Sequence, residues 1–242
     1  DLLPADIIGI SIFERETGEF RFHKGPVFSQ LVLADEVNRA TPKAQSALLE
    51  AMEEHQVTAD GNTYALAAPF FVIATQNPVY QIGTYPLPES QLDRFMLRVD
   101  LAYPQRADEL AVIDRYGSVD AHAAPAGAAR IPPDLVAQAQ AALAGIHIAP
   151  ELSAYIVDIA AASRTHVHVG LGLSTRGVLA LVRAARVNAG LRGGEFVTPD
   201  DVKAVAPLVI PHRLVLAPEA VLDGVSEQQI TTRLLEQTAV PR

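Results

Sequence analysis

The stretch Leu31-Val-Leu-Ala-Asp-Glu36 decides the fold, because it is a short apolar run that ends in two adjacent carboxylates. A continuous apolar run is typical of a strand that is covered on both faces of a parallel sheet. Ionised groups are costly inside an apolar sheet, so acids at the carboxyl end of such a strand usually face a ligand crevice. The run therefore predicts a parallel strand with a polar site at its end. Taken alone, it is explained equally well by a turn with solvated acids.

Two further apolar runs, at 70–75 and 95–101, each predict another strand. Thr41-Pro42 predicts the start of a helix between the first two strands, because threonine is a good N-cap and proline suits the first helical position. Asp60-Gly61 predicts the turn of a two-stranded hairpin. The order is then that of an α/β domain with a parallel sheet.

After Pro104 the pattern changes to alanine, leucine and valine at helical spacing, which predicts a second half that is entirely helical. Pro150 begins one helix, which we expect to run to about Ser163, and Ser174 or Thr175 begins another that ends near Gly190. Capping boxes begin the last helices, at 198–201 and 226–229. The small-residue stretch 121–129 predicts a linker.

The composition narrows the class of protein. The 242 residues carry a net charge of −9 and no cysteine, which excludes a disulfide framework, a thiolate zinc site and a cysteine nucleophile. The acidic balance argues against nonspecific nucleic-acid binding as the main function. The apolar runs are too short for a membrane span, and we expect a cytoplasmic protein. The first residue is Asp, with no charged-then-apolar leader after it, so we expect that the chain was cut from a longer one.

Five polar residues carry the predicted chemistry. Asp35 would hold a hydrated Mg²⁺ on nucleotide phosphates, and Glu36 would polarise the attacking water. Asn77 follows the second strand, where it would orient that water beside Glu36. Arg94 and Arg176 offer guanidinium groups for phosphate charge. Taken singly, Asn77 is better explained by a turn and each arginine by a surface salt bridge.

Other charged features are assigned no chemistry. The pair Glu53-Glu54 is most simply the solvated end of a helix. His166 and His168 have no third ligand nearby, so an exposed pair at a helix end explains them better than a metal site.

Several blocks of the sequence, taken together, closely resemble the MoxR family of AAA+ ATPases. The resemblance implies an AAA+ parallel-sheet core with a C-terminal helical lid. We expect a partial core over 1–104, a linker helix and linker over 105–130, and the lid over 131–242. A helix-2 insert is expected at about 12–28, and a pre-sensor-1 hairpin at about 56–69. The blocks are Val32-Leu-Ala-Asp-Glu-Val-Asn-Arg-Ala40, Gln45-Ser-Ala-Leu-Leu-Glu-Ala-Met-Glu-Glu54, Ile73-Ala-Thr-Gln-Asn-Pro78, Gly83-Thr-Tyr-Pro-Leu-Pro-Glu89, Gln91-Leu-Asp-Arg-Phe95, Phe196-Val-Thr-Pro-Asp-Asp-Val202 and Pro211-His-Arg-Leu214.

The same resemblance implies a role for each site residue. Asp35 and Glu36 resemble the Walker B pair, with Asp35 on Mg²⁺ through water and Glu36 as the general base. Asn77 resembles sensor 1. Arg94 resembles an arginine finger that acts on a neighbouring subunit's ATP, and Arg176 resembles sensor 2 of its own subunit. The family's block often reads Ser-Pro-Arg-Ala, so Thr175 and Gly177 around Arg176 put the position of that helix start in question.

One element of the family is missing from the 242 residues. No Gly-x-x-x-x-Gly-Lys-Ser/Thr occurs, and none of the three lysines follows a glycine. Backbone amides of that loop cradle the phosphates of ATP, and its lysine neutralises them. We therefore expect this chain alone to bind ATP poorly and to be inactive. In the family, the loop and its strand lie upstream of a segment that resembles residues 1–6.

Finally, the resemblance implies partners. Because the arginine finger serves a neighbour, we expect a homo-oligomeric ring, typically a hexamer, with ATP and Mg²⁺ as cofactors. The family matures or activates partner proteins, often a von Willebrand factor A domain protein or a metalloprotein. Two alternatives to this remodelling ATPase stay open, a partner-binding module without turnover and a motor subunit of the magnesium-chelatase type.

Overall fold

A computed structural model describes residues 3–77, 83–117 and 131–241. Their apolar side chains form two separate buried clusters, one in the first half of the chain and one in the second. The predicted linker at 121–129 lies outside the described residues. The domain boundaries at 104 and 131 stay predictions.

The first half contains a small parallel sheet and two hairpins. Strands β3 and β6 pair in parallel, with Leu31 opposite Phe71 and Ala34 opposite Ala74, as the sequence predicts. The elements are helix α1 (Pro4–Ile8), strands β1 (Gly9–Glu14), β2 (Glu19–Lys24) and β3 (Leu31–Ala34), helix α2 (Pro42–Glu54), strands β4 (Gln56–Ala59), β5 (Asn62–Ala65) and β6 (Phe71–Ala74), and helices α3 (Glu89–Leu92) and α4 (Arg106–Tyr116).

Local signals place several of these elements. The side chain of Thr41 accepts a hydrogen bond from the Ala44 amide at 3.3 Å and caps α2, which begins at Pro42 as predicted. The β4–β5 hairpin turns at Asp60 and Gly61, whose φ angles of 50° and 78° suit a turn with two left-handed residues. The β1–β2 hairpin falls in the segment that resembles the helix-2 insert, although no turn pattern predicted it.

The parallel sheet is covered on one face only. Val32 is buried in the cluster that also holds the apolar residues of α2, whereas Leu31, Leu33 and Phe71 are each more than half exposed. Alternate side chains of a strand point to opposite faces, so every second apolar residue lies on the open face and is exposed. The prediction of strands covered on both faces is therefore wrong for the described residues.

The predicted third strand at 95–101 is also wrong, because these residues form no strand in the structure. The amide of Arg98 donates to the carbonyl of Leu208 at 2.9 Å, in the second half of the chain, instead of joining a ladder. Leu101 is 93 % exposed, so the segment gains little from burial. This apolar run therefore bonds to the helical half and is not a strand of the sheet.

The second half is helical except for one short strand pair. Helix α6 runs two residues beyond its predicted end, and α7 begins at Thr175 after the cap Ser174. Both predicted capping boxes are confirmed. The elements are helices α5 (Pro133–Ala144) and α6 (Pro150–Thr165), strand β7 (Val169–Leu171), helices α7 (Thr175–Leu191) and α8 (Pro199–Val209), strand β8 (Val215–Leu216), and helices α9 (Pro218–Leu222) and α10 (Glu227–Gln237).

A buried carboxylate joins α7 to α8. Asp201 accepts hydrogen bonds from the guanidinium of Arg192, the amide of Asn188, and the backbone and hydroxyl of Thr198. These hydrogen bonds hold the pKa of Asp201 far below its usual value, and the largest contribution comes from Arg192. Within the described ranges, no helix is long and apolar enough to cross a membrane.

Candidate functional site

The carboxyl end of the parallel sheet holds the two predicted acids. Asp35 and Glu36 directly follow β3, and Thr75 directly follows its neighbour β6. The Thr75 hydroxyl donates to Asp35 Oδ1 and accepts from the Glu36 amide at 2.8 Å. The Thr75 side chain therefore holds the Asp35 carboxylate and the Glu36 backbone at the carboxyl end of the sheet, where the sequence predicted the two acids.

Glu36 adopts a left-handed backbone conformation, with φ 48° and ψ 51°. This conformation is uncommon for a residue with a side chain and is concentrated at functional sites. The Glu36 carboxylate pairs with Arg39 Nη1 at 2.9 Å. Both side chains are substantially exposed, so the ion pair is weak and leaves the carboxylate accessible to water.

Buried amides hold the segment after Glu36 in place. Gln45 donates to the carbonyls of Val37 and Tyr85, and Asn38 donates to the carbonyl of Asn77 at 3.1 Å. The backbone of Asn77 therefore lies beside the segment that follows Glu36, and the predicted placement of its side chain beside Glu36 stays a prediction. The Oδ1 atom of Asn38 is buried without a hydrogen-bond partner in the described structure.

The two predicted arginines meet at one carboxylate. Glu53, at the end of α2, pairs with Arg94 through Oε2 at 2.7 Å and with Arg176 through Oε1. The Glu53 side chain is only 27 % exposed. The interpretation of Glu53 as part of a solvated helix end is wrong, because both of its oxygens bind arginines from other segments. Glu54 is exposed, as expected.

A second carboxylate extends this group. Asp93 accepts a hydrogen bond from the Ser174 hydroxyl at 2.8 Å and one from Arg213 Nε at 3.0 Å, and it lies 3.7 Å from Arg176. We call Glu53, Asp93, Arg94, Arg176 and Arg213 the arginine cluster. Its members come from the sheet half and the helical half of the chain.

Arg213 is one of the members to which the sequence analysis assigned no role. Its guanidinium is buried, and it donates to the carbonyls of Asp93, Phe95, Met96 and Val209. Burial lowers its pKa, while the charge of Asp93 opposes that shift. An arginine inside the apolar stretch 208–216 was the available signal, because a buried guanidinium requires an acceptor.

The helix start around Arg176 is now defined. The Ser174 hydroxyl accepts from the Gly177 amide at 3.0 Å, so Arg176 lies in the first turn of α7. A Cβ atom on Gly177 would come within 2.8 Å of Arg213 Cδ. Gly177 therefore leaves room for the buried stem of Arg213.

Asp35 has the chemistry of a Mg²⁺ ligand. Asp35 is an exposed carboxylate, and Mg²⁺ usually takes only one or two protein carboxylates, with water and phosphate oxygens as its other ligands. In the described residues no three His, Asp or Glu side chains gather as metal ligands. The arginine cluster holds three guanidinium groups, a chemistry that suits phosphate oxygens, and each of them is paired with a carboxylate in this structure.

The contacts divide the site into two clusters. Asp35 and Glu36 contact Thr75 and Arg39, whereas Arg94 and Arg176 contact Glu53. Among the bonds of the part of the chain that the structure describes, none joins Asp35 or Glu36 to Arg94 or Arg176. The structure therefore brings Arg94 and Arg176 together, at a place separate from Asp35 and Glu36.

Comparisons with known proteins agree with this architecture. A family model described as "ATPase family associated with various cellular activities (AAA)" matches residues 1–97, and one described as "AAA lid domain" matches residues 161–234. A solved structure of a putative ATPase from Cytophaga hutchinsonii superposes with a TM-score of 0.91 at 39% identity, covering 100% of this chain and 76% of that chain.

Two curated relatives cover this chain completely. The uncharacterized protein YeaC of Bacillus subtilis is 43% identical, and the match spans 75% of its length. The chaperone MoxR1 of Mycobacterium tuberculosis is 39% identical, and the match spans 66% of its length. With the parallel sheet, the acids at its edge and the helical lid in place, the chain belongs to the MoxR family of AAA+ ATPases.

Proposed function

We propose that this chain is the core and lid of an ATP-hydrolysing enzyme that remodels partner proteins. The observation that carries the proposal is the sheet edge, where Thr75 fixes Asp35 and Glu36 at the carboxyl end of a parallel strand. Ligands of open α/β sheets bind at this edge. The family membership supports ATP as the ligand.

Each acid has one role in the proposed reaction. Asp35 holds the water shell of Mg²⁺, and the metal when bound neutralises charge on the terminal phosphates. Glu36 accepts the proton of the attacking water. Its weak pairing with Arg39 lets a water compete for the carboxylate. Asn77, from the neighbouring strand, positions that water.

The arginines counter the charge that develops on the transferred phosphoryl group. Arg94 serves the nucleotide of a neighbouring subunit, so the active form is a ring of identical subunits, which we propose to be a hexamer. Arg176 adds a second guanidinium. Such charge contacts account for large factors in turnover in other nucleotide-hydrolysing enzymes.

The proposed clients are proteins. The name of one relative, chaperone MoxR1, supports a chaperone role. We propose that the client carries a von Willebrand factor A domain or a metal centre, and that the protein acts in the cytoplasm.

ATP turnover by the complete gene product that contains this chain tests the proposal. Glu36→Gln removes the base and keeps the shape, so turnover should fall at least ~100-fold while nucleotide binding is retained. Glu54→Gln is the matched control on an exposed glutamate, and its turnover should equal that of the wild type. Turnover that is unaffected by Glu36→Gln would refute the proposed role of Glu36. The 242-residue chain alone should bind nucleotide poorly, because it carries no phosphate loop.

A further inference from the structure

Arg213 is a buried guanidinium at the contact between the lid and the sheet half. Its side chain is only 1 % exposed. Nε donates to Asp93 Oδ1 at 3.0 Å, Nη2 donates to the carbonyls of Asp93 and Phe95, and Nη1 donates to the carbonyl of Met96 at 3.3 Å. These acceptors lie on both sides of Arg94 along the chain. One side chain of the lid therefore binds the backbone around Arg94.

The backbone that carries Arg94 depends on donors from elsewhere. Helix α3 ends at Leu92, and residues 93–96 form an irregular turn after it. Carbonyls at and beyond the end of a helix have no intrahelical donor, so a side chain or water has to supply one. The planar guanidinium offers several N–H donors in a fixed fork. Arg213 supplies these donors from 120 positions along the chain.

Arg213 is itself held in place by the lid. Its Nη1 also donates to the carbonyl of Val209, the last residue of α8. Its stem passes Gly177 in the first turn of α7, where a Cβ atom would come within 2.8 Å of Arg213 Cδ. A side chain that is fixed at both its stem and its head transmits the position of the lid to the turn that it binds.

The pattern of acceptors distinguishes positioning from a simple link between the two halves. The ion pair between Arg213 and the Asp93 carboxylate would by itself be enough to join the lid to the sheet half. The other donors go to main-chain carbonyls before and after Arg94. Bonds on both sides of a residue fix the direction of its side chain as well as its distance from the lid.

We infer that Arg213 is a positioning residue for Arg94, which it holds in the direction of the neighbouring subunit's nucleotide. The inference rests on the proposed function, because Arg94 is assigned to the neighbour there. Arg213 is buried and acts only through Arg94. Because Arg213 belongs to the lid, the guanidinium group that a subunit offers to its neighbour follows the position of that subunit's lid.

Arg213→Lys in the complete gene product tests the positioning role. Lysine keeps a positive charge beside Asp93, but its single ammonium group cannot reach carbonyls on both sides of Arg94 at once. We expect turnover to fall ~10- to 100-fold, as small misplacements of reacting groups do. Arg233→Lys, on an exposed arginine of α10, is the matched control and should keep wild-type turnover. Wild-type turnover in Arg213→Lys would overturn the inference.

Co-assembly with a second variant separates positioning from a structural defect of the lid. In Arg213→Lys mixed with Glu36→Gln, a Glu36→Gln subunit offers a correctly held Arg94 to an Arg213→Lys neighbour whose acids are intact. At equal amounts we expect about a quarter of wild-type turnover, since one interface in four is then complete in a cyclic ring. A structural defect would stay within the Arg213→Lys subunit and would not be restored.

The reference mixture is Glu36→Gln with Arg94→Ala, because it tests only whether Arg94 acts on the neighbour. Restoration in the reference without restoration for Arg213→Lys overturns the positioning role and leaves the proposed function intact. Failure of the reference refutes the proposed function, and the inference is then refuted with it.

Asp93→Asn keeps the test decisive if Arg213→Lys fails to assemble into rings. The amide has the size of the carboxylate and still offers an oxygen to Arg213, but it loses the charge, so the turn at 93–96 is held less tightly. We expect turnover to fall and mixing with Glu36→Gln to restore it. Unchanged turnover, or a loss that the mixture does not restore, would contradict the positioning of Arg94 by Arg213.

Discussion

The helical half of the chain encloses its apolar side chains, whereas the sheet half leaves one face of its sheet open. In the helical half Leu181 and Ile159 are fully buried between helices. In the sheet half Leu33 is 66 % exposed and Phe71 is 59 % exposed, although both lie in well-formed strands. The strand pair thus packs on the core through one of its faces only. The difference predicts that truncations in the helical core cost more stability than truncations on the open sheet face.

Truncating one leucine in each region should give the largest difference in the free energy of unfolding. Leu181→Ala removes a side chain from a closed core and should lower the free energy of unfolding by about 3 to 5 kcal/mol. Leu33→Ala should lower it by less than about 0.5 kcal/mol, because its side chain is mostly in water already. Urea unfolding followed by circular dichroism measures both. An equally large loss for Leu33→Ala would show that the open sheet face is covered in solution.

A buried histidine makes the contact between the two regions sensitive to pH. Burial, followed by the positive charge of Arg213, lowers the pKa of His212 from 6.5 to about 4, while its contact with the Phe95 carbonyl opposes the shift. Arg98 adds to the lowering, and Asp93 opposes it. Between these two values the unfolded chain binds a proton that the folded chain does not bind. Folding is therefore less favourable as the pH falls through this window.

The corresponding experiment compares unfolding at several pH values. From pH 6.5 to pH 4 the histidine should account for a loss of about 2 to 3 kcal/mol of stability, and His212→Gln should abolish this part of the pH dependence. His23→Gln, at an exposed position, is the matched control and should keep the wild-type profile. A profile of His212→Gln that is parallel to that of the wild type would contradict the buried, neutral state of His212.

Local chemistry made much of the fold predictable. The apolar runs that became β3 and β6, the caps Thr41 and Ser174 and the turn at Asp60-Gly61 each depend on residues within a few positions of one another. The prediction of a strand at 95–101 was wrong because the hydrogen-bond partner of this segment is not local. The amide of Arg98 donates to Leu208, far along the chain, and hydrophobic periodicity carries no information about such a partner.

The same division holds in the candidate site. Asp35 and Glu36 were predicted from the strand that precedes them, and the structure places them at the sheet edge. The roles of Glu53 and Arg213 were missed because their partners are distant, with Arg176 lying 123 positions after Glu53 and Arg213 lying 120 positions after Asp93. Only the buried charge of Arg213, inside an apolar stretch, gave a local sign that such a partner exists.

Replacing each of two serine caps in the lid should give the smallest difference in stability. One of these caps, Ser174, also contacts the sheet half. Ser226 accepts from the Gln229 amide at 3.2 Å, and Ser226→Ala should cost about 1 kcal/mol, as the loss of an N-cap usually does. Ser174 accepts from the Gly177 amide and also donates to Asp93, so Ser174→Ala should cost about 1 kcal/mol more. Thermal unfolding of the two variants measures the difference. Equal costs would mean that the Ser174–Asp93 bond adds nothing to stability. A larger cost for Ser174→Ala makes the α7 cap a part of the contact between the regions, in addition to its local role in the helix.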